Sequence, residues 1–228
     1  MQHANRQLLT AVVIGFAALL SACGTTPNTR SGTGEMVVRA QETLENFQRD
    51  PEMTWFRDNV KQARAVIISP QVTRAGFVFG GSGGEALVLA RDERTGGWAG
   101  PAFYNFGAGS VGFQIGVDVS EVVMLVMTEK ALNGLLSPTF RVGADASVAA
   151  GPVGVGAAST VRADIVSFAR SKGAYAGISL DGTVIRPDTN ANHAFYGRPA
   201  SPVDILVRRS ATSPASNALH QSLDRVSR

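Results

Sequence analysis

The chain has 228 residues, enough for one domain with a proper core, and 44% of them are hydrophobic against 17% charged, which excludes a disordered chain. A net charge of +3 is too weak to argue for nucleic acid as a partner. The single cysteine, Cys23, excludes an internal disulfide and a cysteine metal cluster.

In chain order, a short n-region bearing Arg6 precedes an apolar run from Leu8 to Leu20. At about 13 residues that run is too short for a comfortable membrane span and fits a signal-peptide h-region. Leu20-Ser21-Ala22-Cys23 then reads as a bacterial lipobox, in which the cysteine is lipidated and becomes the mature N-terminus. Residues 1–22 are therefore expected to be a lipoprotein signal peptide and Cys23 the lipid anchor. A diacylglyceryl group holds far better than the single acyl chain that gives only marginal binding. Gly24 follows the cysteine where retention in the inner membrane of enteric bacteria typically has aspartate, so the periplasmic face of the outer membrane is the expected location. Residues 23–34 read as a polar tether.

From Glu35 to Arg49, Met36, Ala40, Leu44 and Phe47 recur at helical spacing. Asp50-Pro51 opens a second helix through about Ala65, on which Arg57, Lys61 and Arg64 form a basic stripe beside the apolar Phe56, Val60 and Ala63. Such a stripe fits either anionic headgroups or a solvated helix edge. Strands are expected at Val66–Ile68, Arg74–Phe79 and Ala86–Arg91, the last two flanking a GGSGG turn. Further strands follow over 103–106, 110–119 and 122–127, then a short helix capped by Thr128 and a strand alternating from Phe140 to Val148. Strands over 161–170, 174–180 and 183–186 come next, the last two joined by Asp181-Gly182 as a hairpin. Residues 188–196 are expected to be helical, Pro202–Val207 closes the core, and residues 208–228 form a polar tail with a weak helix. Strand after strand with tight turns implies an α+β fold: an antiparallel sheet, sandwich or partial barrel, with helices mainly at the N-terminal side.

Two enzyme motifs occur literally. Gly80-Gly81-Ser82-Gly83-Gly84 matches G-x-S-x-G, but a nucleophile elbow needs a helix after the serine, and the residues that follow alternate like a strand. Past the signal segment the chain offers only His193 and His220 as imidazole bases. Gly107 to Gly112 matches G-x-G-x-x-G, yet period-2 alternation continues through Val119 where a dinucleotide loop would open a helix. The sequence therefore predicts no catalysis, no metal and no cofactor.

Several blocks in order resemble the SYLF domain family, also called Ysc84-like: RAGF with GGSGGEALVLAR, GWAGPAFYNFGAGSVGFQIGVDVSEVVMLVM, FRVGADASVAAGPVG, FARSKGAYAGISLDGTVI, and FYG near DIL. The resemblance covers residues 35–207, and the lipobox is that of a bacterial lipoprotein member. It implies non-catalytic binding of a phospholipid membrane, with anionic headgroups met by a basic N-terminal region. Arg64 and Arg74 stand where the family's basic residues lie, Arg57 and Lys61 belong to the same region, and Arg170 with Lys172 is a second basic pair. The alternative is an envelope scaffold that binds a protein or glycan partner and touches the membrane only through its lipid.

Overall fold

The computed structural model describes residues 29–76, 79–111, 116–156, 160–171, 173–177 and 180–227. The expected signal segment, Cys23 and Lys172 lie outside the described residues.

Helix α1 spans Arg30–Arg49. It begins five residues before Glu35 because Thr29 caps it, its hydroxyl accepting from the Gly32 N–H at 3.1 Å, so part of the expected tether is helix. After a 3₁₀ turn at Pro51–Met53 comes the short α2, Thr54–Asn59, and a second 3₁₀ turn at Val60–Gln62. Four long strands follow: β1 Ala65–Gly76, β2 Phe79–Arg91, β3 Trp98–Val111 and β4 Gly116–Val126. Helix α3 is Glu129–Leu135, and the remaining strands are β5 Phe140–Arg141, β6 Val148–Ala150, β7 Ile165–Ser171, β8 Ala174–Gly177 and β9 Val184–Pro187. Helix α4, Thr189–Tyr196, is followed by a π-helical turn at Val203–Val207, a 3₁₀ turn, and α5, Asn217–Val226.

The strands form one sheet in the order β5-β9-β3-β2-β1-β4-β7-β6, with β8 also on β7. All pairings are antiparallel except β6 with β7. The α+β expectation holds, with C-terminal helices added to the N-terminal ones. Chain length shows that the sheet curls. From β8 to β9 is six strand spacings, about 29 Å in a flat sheet. The seven Cα steps from Gly177 to Val184 reach about 25 Å at full extension. Residues 180–183 can connect the two only if the sheet's edges bend toward each other.

Both faces of the near half of the sheet, around Ala65–Ile68, are covered. Val66, Ile68, Leu87, Leu89, Val123 and Leu125 pack under α1 and α2 with Leu44, Phe47 and Phe56, while Ile67, Val88, Tyr104 and Met124 face Leu135, Phe140 and Leu206. Each such side chain contributes about 1.5–3 kcal/mol when fully buried. Phe168 meets Phe56 edge-on at 5.8 Å, tying β7 to α2.

Several expectations are corrected. Ser69-Pro70 does not end a strand: β1 runs through it with a bulge between Ile68 and Gln71, where a residue lacking an N–H is tolerated. GGSGG is not a turn, because Gly80 to Gly84 lie inside β2, paired on both sides with β1 and β3. The alternation of 140–148 is broken after Arg141: Gly143 takes φ 90° and the Asp145 carboxylate accepts from the Arg141 N–H, making a turn between β5 and β6. Asp181-Gly182 does turn, with Gly182 at φ 79°, but β8 pairs with β7 and β9 with β3, so it crosses the sheet and is no hairpin. The tail is also part of the fold. Leu219 and Leu223 of α5 are buried in the α1 core, and Gln48 donates to the Ser222 carbonyl at 3.0 Å.

Candidate functional site

The far halves of β1–β4 extend beyond the region that both cores cover, and their register decides which residues share a face. Thr73 pairs with Gly83 and Val119, Ala75 with Gly81 and Val117, and Gly83 and Gly81 in turn with Gly107 and Gly109. These residues lie on the α1 side of the sheet, the side that carries Ile68 and Leu87 further back. Arg74, Ser82, Ala108 and Asp118 pair in the intervening row and present to the opposite face.

On the α1 side the result is a floor of bare backbone. Gly81, Gly83, Gly107 and Gly109 have φ outside the left-handed region. A Cβ would meet nothing at Gly109, would sit 3.4–3.5 Å from a carbonyl oxygen at Gly81 and Gly107, and would lie 3.2 Å from the Phe106 oxygen at Gly83. Gly84, in the opposite row, differs: a Cβ there would stand 2.4 Å from the Gln71 oxygen, so the bulge in β1 requires glycine.

Over this floor α1 places Met36 and Arg39, leaving a groove of about 480 Å³ lined by these two and by Thr73, Ala75, Gly81 and Gly83. Its lining also includes Glu85 and Asn105, and Asn105 is fixed by donating to Asp188 Oδ2 at 2.7 Å. Beside the floor, Val117 is 71% and Val119 50% exposed. Val119 also lines a smaller recess with Pro70 and Glu121.

The basic residues singled out in the sequence do not converge on one point. Arg57 donates to the carbonyls of Asp50 and Gln48, closing the end of α1. Lys61 is exposed in the turn after α2. Arg64 is paired with Glu93 and with Glu129 at 3.3 Å. Arg74 is ten residues further along β1, about 33 Å at strand rise. It is half-buried across from Ser82 and Asp118. Arg170 binds Glu121 Oε2 at 3.0 Å, and Glu121 Oε1 accepts from Thr43 and Asn46 of α1. That network docks α1 on the sheet.

The serine of G-x-S-x-G lies mid-strand, not at a strand-to-helix elbow, and Gly107 to Val111 is likewise strand. His220 Nε2 lies 3.0 Å from the Gly100 carbonyl, and burial pushes its imidazole pKa down. The strongest shift among the carboxylates is also structural. Backbone and hydroxyl donation from Ser147, with Thr128 and the nearby Lys130, holds Asp164 down at about 2. Among the described residues no cluster of histidine, cysteine and acids could hold a metal, and no helix is long and apolar enough to cross a membrane.

Sequence reading missed the groove and the exposed valines. The signal was present as glycine at alternate positions, 81 with 83 and 107 with 109, which marks a strand stripped on one face.

A family model described as "Ysc84: Las17-binding protein actin regulator" matches residues 107–226. The protein YSC84 of Saccharomyces cerevisiae is 29% identical over 199 residues, covering 82% of this chain and 42% of the relative. LAS seventeen-binding protein 3 of the same yeast is 29% identical over 174 residues, 73% of this chain and 38% of its own length. The SH3 domain-containing YSC84-like protein 1 of Homo sapiens is 28% identical over 158 residues, 67% of this chain and 46% of the relative. The chain thus spans less than half the length of these relatives.

Proposed function

The chain belongs to the Ysc84 family, and on that premise we propose that it is a non-catalytic phospholipid-binding lipoprotein of the bacterial envelope. Cys23 is its anchor, the periplasmic face of the outer membrane its location, and the far end of the sheet its lipid-contacting part. The observation that carries this reading is the pair of exposed valines, Val117 and Val119, beside an open apolar groove and one strand from Arg74. Two valines on one face offer about 1.5–3 kcal/mol each on full burial in acyl chains. Arg74, at the same sheet end but on the opposite face, adds about 1 kcal/mol near an anionic surface and can grip a phosphate bidentately. Arg74 is accordingly the headgroup contact of this reading, whereas Arg57, Arg64 and Arg170 already serve the fold. Anchoring raises the local lipid concentration, so weak contacts suffice for occupancy.

The test is co-sedimentation of the chain carrying Cys23→Ser with vesicles of phosphatidylglycerol or of phosphatidylcholine. The reading predicts preference for the anionic vesicles, weakened by salt and by Arg74→Glu. Absence of binding to either would refute it. A second reading, a protein-binding scaffold, draws on the relatives' names, which speak of Las17 and SH3 domains. Recovery of one stoichiometric partner by a chain that ignores vesicles would favour it.

A further inference from the structure

We propose that the groove under α1 is a site for a single aliphatic acyl chain, drawn from a phospholipid of the membrane on which the protein sits. This inference rests on the phospholipid-binding reading and adds where the tail goes.

Glycine inside a strand is unfavourable, because it costs more backbone entropy and packs no side chain. A central strand carries it where φ, a bulge or close packing demands it. None of these applies at three of the four positions on the α1 side: Gly81, Gly107 and Gly109 have room for a Cβ at ordinary contact distance or better, and their φ is accessible to any residue. At Gly83 a Cβ would stand 3.2 Å from the Phe106 oxygen, so close packing accounts for that one glycine. The other three are not explained by the fold. What they do is keep space open, and filling it with side chains would close the groove.

The chemistry of the space selects its occupant. The floor is backbone, yet β2 lies between β1 and β3 and is laddered to both, so its N–H and C=O groups are spent within the sheet. A ligand lying on it meets peptide faces, the Ala75 methyl and the Met36 thioether. Polar groups stand in the lining at Gln71, Thr73, Glu85 and Asn105, the last held by Asp188, but the floor itself has its backbone donors engaged, and an aliphatic chain loses nothing by lying on it. A volume of about 480 Å³ lies within the range of ligand sites, about 300–1,000 Å³. Methionine at the wall adapts to a flexible chain. Arg39 borders the groove, complementary to an anionic head whose tail lies below it. The groove adjoins Val117 and Val119, through which the chain would leave the bilayer without crossing water.

The experiment uses the full chain and myristoyl lysophosphatidylglycerol below its micellar concentration, followed by backbone amide NMR, with glycerophosphoglycerol as the chainless control. Saturable shifts at Met36, Thr73, Ala75, Gly81 and Gly83 are expected from the lysolipid and not from the control. Gly81→Val should weaken that binding at least tenfold while the melting temperature holds or rises, since valine suits the strand. Ala75→Leu fills the same space from β1 and should do the same. Lysolipid shifts elsewhere, equal shifts from the chainless control, or undiminished affinity in both variants would overturn the inference even if phosphatidylglycerol vesicles bind. If the vesicles do not bind but lysolipid shifts map to the groove and vanish in Gly81→Val, the membrane reading falls and the acyl site stands.

Discussion

Replacing Arg170 by Met is expected to lower stability and to leave vesicle binding unchanged. The Arg170 side chain is 34% exposed and that of Glu121 24%, with Nη1 and Oε2 3.0 Å apart. A charge-assisted bond inside a protein is worth about 1.5–3 kcal/mol, whereas exposed pairs give about 0.2–1 kcal/mol. A half-buried pair falls between, at about 1–2 kcal/mol. Methionine keeps most of the apolar stem, so little packing is lost. For a chain of this size each kcal/mol moves the melting temperature by about 2–4 °C, so the variant should melt about 2–8 °C lower. Glu121→Gln removes the same pair from the other side, and the double variant should lose about 1 kcal/mol less than the sum of the singles. Thermal melts and urea titrations measure this, with vesicle co-sedimentation run on the same samples. The reasoning is refuted if Arg170→Met melts like the wild type and its affinity for anionic vesicles falls about fivefold, the worth of one arginine at such a surface.

Asn192 is fully buried, accepting from the Phe103 N–H at 2.9 Å and donating to the carbonyls of Phe103 and Asp188. Asn192→Leu strands the Phe103 N–H and should cost about 1–3 kcal/mol in urea denaturation. The Asp164 carboxyl, held at about 2 against an ordinary 3.8, contributes stability that is full above pH 3.8 and lost as the pH falls through 2. Asp164→Asn should therefore lower stability at neutral pH by about 1–2 kcal/mol, discounted for partial solvation, and flatten the acid limb of the stability–pH curve.

Much of the fold is legible in the residues. Alternation of apolar and polar positions gave β7 and parts of β3 and β4, while the expected strand over 110–119 straddles the end of β3 and the start of β4, with 112–115 outside the described residues; helical spacing of Met36, Ala40, Leu44 and Phe47 gave α1. What misled was glycine. GGSGG has the local chemistry of a turn, and only its ladders to β1 and β3, set by residues far off in sequence, hold it as strand. The Asp181-Gly182 turn was visible, but its strands' partners were not, because pairing across a curled sheet is a global property. The site was legible in part. Charge marked Arg74, but it marked Arg57, Arg64 and Arg170 equally, and charge in a sequence does not say whether a carbonyl or carboxylate already waits for it. The groove was written as absent side chains, which become informative only once register shows that they share a face.

The most direct measurement is flotation of the Cys23→Ser chain with phosphatidylglycerol vesicles, with and without Val117→Asp and Val119→Asp together. Both valines are exposed, so the double variant should fold and melt as the wild type does. The parent chain should float and the variant's vesicle affinity should fall at least tenfold, since roughly a half to two thirds of the full-burial value of about 1.5–3 kcal/mol is lost at each valine and two carboxylates face an anionic surface. Undiminished flotation of the variant, with its melting temperature intact, would contradict the claim that this end of the sheet meets the membrane.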